Sequence, residues 1–189
     1  MTGIRKDIIQ LVAIAVIFGG IYLSGLHTEV IGRLQQAIMW TGIYNAEKPE
    51  NEVNVSVGYQ FDLETLDGQI LKGSELQNKV VFINFWATWC PPCIAEMPSI
   101  NSLYKKMGKE VVFLVVSLDE NKQKAKEFVL KKEFDFPVFF PASSLPGSLE
   151  SNVIPASFVI SKKGEIVYRR EGIANYDNEE FEKFLREQL

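Results

Sequence analysis

The sequence predicts an α/β fold, a mixed β-sheet flanked by helices on both faces and preceded by one N-terminal transmembrane helix. Three observations predict it. Short runs rich in Val, Ile and Phe alternate with stretches of helical periodicity from about residue 59 onward. Two late apolar runs flank Lys163-Gly164, as in an antiparallel hairpin, and a closing amphipathic segment follows them. Residues 8–26 carry no charge, whereas the rest of the chain is studded with charges.

From Ile8 to Leu26 the polar members are Gln10, Tyr22 and Ser24. A bilayer needs about 20 predominantly apolar residues, and this stretch is close to that. Arg5 and Lys6 precede it and Glu29 follows, so the positive-inside rule leaves the N-terminus in the cytoplasm and the remainder outside. A cleavable signal peptide is the competing reading, but Ser24-Gly25-Leu26 is a poor cleavage pattern and no polar face suggests a soluble helix. The chain therefore divides into an anchor (1–27), a juxtamembrane helix and linker (28–57) and one folded domain (58–189). In the second part Ile31, Leu34 and Ile38 recur at helical spacing, with Trp40 and Tyr44 suited to a membrane interface. Asn45 to Val57 is polar and reads as a linker or an early strand.

Within the domain, Tyr59–Thr65 alternates as a strand, and Asp67-Gly68 is a hairpin turn. Lys72–Leu76 turns into a short helix. Lys79–Ala87 is a strand covered on both faces. A helix follows through Ile94, Met97, Ile100, Tyr104 and Met107 and stops at Gly108. Val111–Leu118 is a central strand, Asn121–Phe134 a helix with Ala125, Phe128 and Val129 inward, and Pro137–Phe140 a short strand. Ser148–Ser151 forms a short helix. Ser157–Ile160 and Glu165–Arg169 make the hairpin. Asp177–Leu189 closes with Phe181, Phe184 and Leu185 inward.

The chemistry concentrates in Trp89-Cys90-Pro91-Pro92-Cys93, which holds both cysteines of the chain. Proline is tolerated in the first turn of a helix, so Cys90 sits at a helix N-terminus. There the unpaired N–H groups and the macrodipole favour a thiolate, and a cysteine pKa of about 8.5 can fall to roughly 3.5–7.5. Cys90 is then the exposed nucleophile, and Cys93, one turn deeper, the resolving thiol. A structural disulfide would close too small a loop to constrain the unfolded chain much. Zinc would want four ligands, and the one histidine, His27, lies at the membrane boundary. A two-thiolate copper carrier is chemically allowed. Trp86 reads as core, and Trp89 as a shield over one side of the disulfide. On the residues alone Glu96 is a solvated helix charge and Pro155 a strand-edge breaker.

Phe85-Trp86-Ala87-Thr88-Trp89-Cys90-Pro91-Pro92-Cys93, Pro98, and Val153-Ile154-Pro155-Ala156-Ser157-Phe158 together resemble the thioredoxin superfamily. More narrowly they look like the membrane-tethered TlpA/ResA-type thiol–disulfide oxidoreductases of bacterial envelopes, over roughly residues 58–189. The resemblance implies a thioredoxin-like sheet with Pro155 as a cis-proline facing the disulfide and Ile154 offering its backbone to an extended substrate. It implies a substrate surface of Trp89, Pro91, Pro92, Ile154 and Pro155. Where thioredoxins carry a buried Asp this chain has Asn84, which cannot ionise, and the subfamily instead places a glutamate at the position of Glu96. Cys93 and Glu96 are i and i+3 on a helix, so that carboxylate would raise the Cys93 pKa and take its proton. The catalytic set is thus Cys90, Cys93 and Glu96. The resemblance further implies protein thiol or disulfide substrates, apocytochrome c among them, and a transmembrane thiol electron donor. No metal and no cofactor beyond the Cys90–Cys93 disulfide are expected, and the bilayer is met through residues 8–26.

Reduction is the expected direction, because Pro91 and Pro92 remove two backbone donors from the Cys90 thiolate and the subfamily points the same way. A peroxidase of the peroxiredoxin type would need Pro and Thr seven and three residues before Cys90. Ile83 and Ala87 stand there. A non-catalytic holder of metal or partner is the third class. Net charge is −4 with mixed signs and no basic stripe, which gives nucleic-acid binding no support.

Overall fold

The computed structural model describes residues 2–23, 31, 32, 35, 38, 42, 44–48 and 55–189. Among them, eight strands form one sheet: β1 (Val55–Ser56), β2 (Asp62–Thr65), β3 (Ile70–Lys72), β4 (Val81–Trp86), β5 (Val112–Ser117), β6 (Val138–Pro141), β7 (Ala156–Ile160) and β8 (Glu165–Glu171). Their order is β1-β8-β7-β4-β5-β6-β2-β3. The α-helices are α1 (Thr2–Leu23), α2 (Pro91–Met107), α3 (Lys122–Lys132) and α4 (Glu179–Glu187). This is a thioredoxin-like α/β arrangement.

The sheet is mixed because β4 pairs in parallel with β5 and antiparallel with β7. Every residue of β4 is buried, as its uninterrupted apolar run requires of a strand with both faces covered. Phe82, Asn84 and Trp86 point to one face, where α2, α3 and α4 supply Met97, Ile100, Ala125, Val129, Phe181 and Phe184. Val81, Ile83 and Phe85 point to the other, against Leu63, Leu76, Leu149 and Phe158.

The helices are unevenly shared. Both parallel crossovers, β4-α2-β5 and β5-α3-β6, step the same way along the sheet. Right-handed crossovers in one direction must lie on one face. The opposite face is covered by two 3-10 turns, Gly73–Leu76 and Gly147–Leu149, through Leu76 and Leu149. Flanking on both faces is therefore met on one side by single turns alone.

Element ends follow local chemistry. Gly68 takes φ +84° in the β2–β3 turn, a conformation that glycine adopts without steric cost. Asn121 and Asn178 cap α3 and α4 by accepting from Gln123 N–H and Phe181 N–H. The expected strand over Tyr59–Thr65 begins only at Asp62, where β3 and β6 offer partners. Chain before residue 58 also joins the domain. Val55 and Ser56 pair with Ile166 and Glu165, Asn45 bridges to Asn175, and Ala46 is fully buried.

Among the described residues no helix is long and apolar enough to cross a membrane. The described part of α1 ends at Leu23, and Ser24 to Leu26 of the expected span lie outside the described residues, as does Trp40. Of the juxtamembrane helix, Ile31, Gly32, Gln35 and Ile38 are described, all helical.

Candidate redox site

β4 ends at Trp86, and the chain turns through Ala87, Thr88 and Trp89 into α2. Asp119, just beyond β5, holds this turn. Its Oδ2 accepts from the Thr88 N–H at 2.9 Å and from the Ser117 hydroxyl at 2.8 Å, and its Oδ1 accepts from the Thr88 hydroxyl at 2.6 Å. Leu118 N–H also bonds Trp86 C=O at 2.8 Å. The strands thus clamp the chain immediately before the first cysteine.

Cys90 is the N-cap of α2, with Pro91 and Pro92 in the first turn. Its Sγ accepts from the Cys93 N–H at 3.3 Å, as a side-chain cap oxygen would. Cys90 and Cys93 are joined in a disulfide. The antiparallel pairing of β7 with β4 sets Ala156 opposite Phe85, so the residues before β7 arrive beside those after β4. Hence Ile154 and Pro155 meet the disulfide: the Ile154 carbonyl oxygen lies 3.8 Å from Cys90 Sγ, and the Ile154–Pro155 bond is cis.

One placement differs from expectation. Cys90, expected to be exposed, is only 4% exposed, because its sulfur is tied to Cys93 and lies against the Ile154 carbonyl. Cys93 is wholly buried, so the order of access is kept. Trp89, expected to shield one side of the disulfide, is 61% exposed. Pro91, Pro92 and Ile154 are half-buried, and Pro155 is buried. Gly32 packs against the start of α2; a Cβ there would meet Ile94 Cγ2 at 3.2 Å and the Pro91 carbonyl oxygen at 3.3 Å. Trp86 is core, packed on Phe128 at 5.6 Å between ring centroids.

Glu96 is not a solvated charge. It is fully buried on the same side of α2 as Cys93, facing the sheet. Its Oε1 accepts from Asn84 Nδ2 at 2.7 Å and its Oε2 from the Ala174 N–H at 3.2 Å. Asn84 Nδ2 also donates to Ser157 Oγ at 2.9 Å. Burial pushes the Glu96 carboxyl up to about 8, against the opposing pull of the Asn84 and Ala174 hydrogen bonds and the Arg170 charge. A carboxyl so placed can exchange a proton near neutral pH with a neighbouring thiol. Sequence reasoning noticed Asn84 but not Ser157 or Asp119. A serine in an apolar strand and an aspartate after one carry no spacing signal.

Residues 53–185 match the Redoxin family. The thiol-disulfide oxidoreductase ResA of Bacillus cereus is 34% identical over 128 residues, covering 67% of this chain and 73% of that protein. ResA of Geobacillus kaustophilus is 33% identical over 146 residues, covering 75% and 83%. Among solved structures, MTB DsbF in its mixed oxidized and reduced forms superposes with a TM-score of 0.58 at 26% identity, covering 69% of this chain and 96% of that one.

Proposed function

Because the chain belongs to the Redoxin family and is a TlpA/ResA-like thiol–disulfide oxidoreductase of the thioredoxin superfamily, we propose that it works outside the cytoplasm, anchored through residues 8–26, as a reductant of protein disulfides. The observation that carries the redox chemistry of this reading is the buried Glu96 one turn from Cys93 on α2, the helix that Cys90 caps.

In the reduced enzyme the Cys90 thiolate attacks one sulfur of a substrate disulfide. A Cys90–substrate disulfide forms, and the other substrate sulfur leaves as a thiolate. Glu96 takes the Cys93 proton, and the Cys93 thiolate attacks Cys90 Sγ. The Cys90–Cys93 disulfide forms and the second substrate thiol is released. Two electrons pass to the substrate, and no metal or further cofactor is called for. The Ile154 carbonyl and Pro155 hold the substrate backbone beside Cys90, while Trp89, Pro91 and Pro92 border the approach.

Several features support reduction as the direction. Pro91 and Pro92 lack the N–H groups that would otherwise stabilise the Cys90 thiolate and make the pair oxidising. A carboxyl with a raised pKa favours a protonated Cys93 until the mixed disulfide is in place. A thiol-transferring membrane partner would restore the dithiol, since the extracytoplasmic side is oxidising. Cysteine pairs of apocytochrome c awaiting haem are a substrate of the right chemistry. Equilibrating the purified protein with glutathione redox buffers tests the direction. A potential below about −200 mV is expected of a reductant, and one near about −120 mV would make the protein an oxidant.

A further inference from the structure

Ser157 is an anomaly in its strand. Its neighbours in β7 are Ala156, Phe158, Val159 and Ile160, all buried, and Ser157 is itself 1% exposed. A hydroxyl buried there is costly unless it is hydrogen-bonded. The register explains where it is spent. Asn84 pairs with Ser157, and Ser157 pairs with Arg170, so three polar residues form a row across β4, β7 and β8. Glu96 lies over that row on α2.

We propose that Ser157 is a positioning residue for the redox reaction: its hydroxyl accepts one hydrogen of Asn84 Nδ2 and so helps keep the other aimed at Glu96. The proposal rests on the reading of Glu96 as proton acceptor for Cys93. The Asn84 amide can meet Glu96 with either end. With Nδ2 forward it donates to Oε1 and favours the carboxylate. With Oδ1 forward it would set an oxygen against a carboxylate oxygen. The acceptor-only carboxylate selects Nδ2, and Ser157 reinforces that choice, because Nδ2 then donates one hydrogen to Glu96 at 2.7 Å and the other to Ser157 at 2.9 Å.

The other groups facing Glu96 do not perform this task. The Ala174 N–H donates to the second oxygen and cannot turn the amide. Arg170 on β8 favours the carboxylate by charge. Tyr176 is pushed well above the usual phenol range by burial, then by the charge of Glu96, and so stays neutral. Tyr168 on β8 is raised likewise, chiefly by burial. Cys93, on the same helix, is the group Glu96 serves.

The test uses the full chain, with reduced protein and a model disulfide substrate, and reads the pH profile of the exchange step. Ser157→Ala frees the amide to turn, so Glu96 loses an N–H donor and its carboxylate form becomes harder to reach. The midpoint of the profile should rise by about one pH unit, roughly a tenfold fall in rate below the midpoint. Ser157→Thr keeps a hydroxyl and should restore the wild-type midpoint. In an Asn84→Ala background, Ser157→Ala should add no further shift, because both act through one amide. A midpoint unchanged by Ser157→Ala, while Glu96→Gln abolishes the pH-dependent limb, overturns this inference and leaves the role of Glu96 standing. A limb that survives Glu96→Gln removes both. If thermal melts show that Ser157→Ala does not fold, Ser157→Val, which matches Thr in shape but lacks the hydroxyl, carries the test against Ser157→Thr, with the same upward shift expected and an unmoved midpoint contradicting it.

Discussion

Glu96 brings an ionisable group to a place that water does not reach, and its linkage to stability follows from that. Its carboxyl is raised from 4.5 to about 8 in the folded, disulfide-bonded protein. An acid whose folded pKa is raised binds its proton more tightly in the native state than in the unfolded chain. Its contribution is therefore fully present below pH 4.5 and is lost as pH climbs toward 8. Between about pH 5 and pH 9 the oxidised protein should lose stability on the order of a few kcal/mol from this group alone. Glu96→Gln should flatten that loss, which denaturant melts at the two pH values would show. Equal slopes for both proteins would mean that Glu96 titrates normally. At this scale the cysteines were legible because a redox pair must stand at fixed spacing, and the spacing is visible in the chain. Glu96 was legible only through resemblance, since a glutamate three residues beyond a cysteine is ordinarily a surface charge. Ser157 was not legible, because its meaning comes from a cross-strand register with Asn84 that one sequence does not display.

The elements around the site were largely readable from punctuation. Pro91 and Pro92 mark the first turn of α2 and Gly108 its C-cap. The apolar runs of β4 and β5 announce buried strands. Strand order and the allocation of helices to one face required topology, in which two crossovers step in the same direction. The turn between β4 and α2 also hid its support. Asp119 ties β5 to that turn through the Thr88 N–H and hydroxyl, and Asp119→Ala would leave those donors unpaired in a partly buried place. The variant should lose about 1–3 kcal/mol of stability. It should also exchange disulfides more slowly, because the chain just before Cys90 is no longer held. Thermal melts and insulin-reduction rates check the two effects. A fully active and fully stable variant would show that the turn holds itself.

As a whole molecule, the protein sets its redox pair where the carboxyl end of β4 and the approach to β7 converge. Gly32, in the segment that follows the proposed anchor, packs on the start of α2, so that segment touches the redox helix. The family was legible over the domain because its motif falls at the end of a recognisable strand. Pieces of chain before residue 58 that complete the sheet were harder to see, since Val55-Ser56 is too short to show alternation and Ala46 is one small residue in a polar stretch. The central claim is that Cys90 attacks and Cys93 resolves. Trapping tests it most directly: Cys93→Ser in the full chain, presented with oxidised envelope proteins, should accumulate mixed disulfides through Cys90 that a reductant releases, whereas Cys90→Ser should accumulate none. Adducts that form only in Cys90→Ser, or in neither variant, would contradict the account.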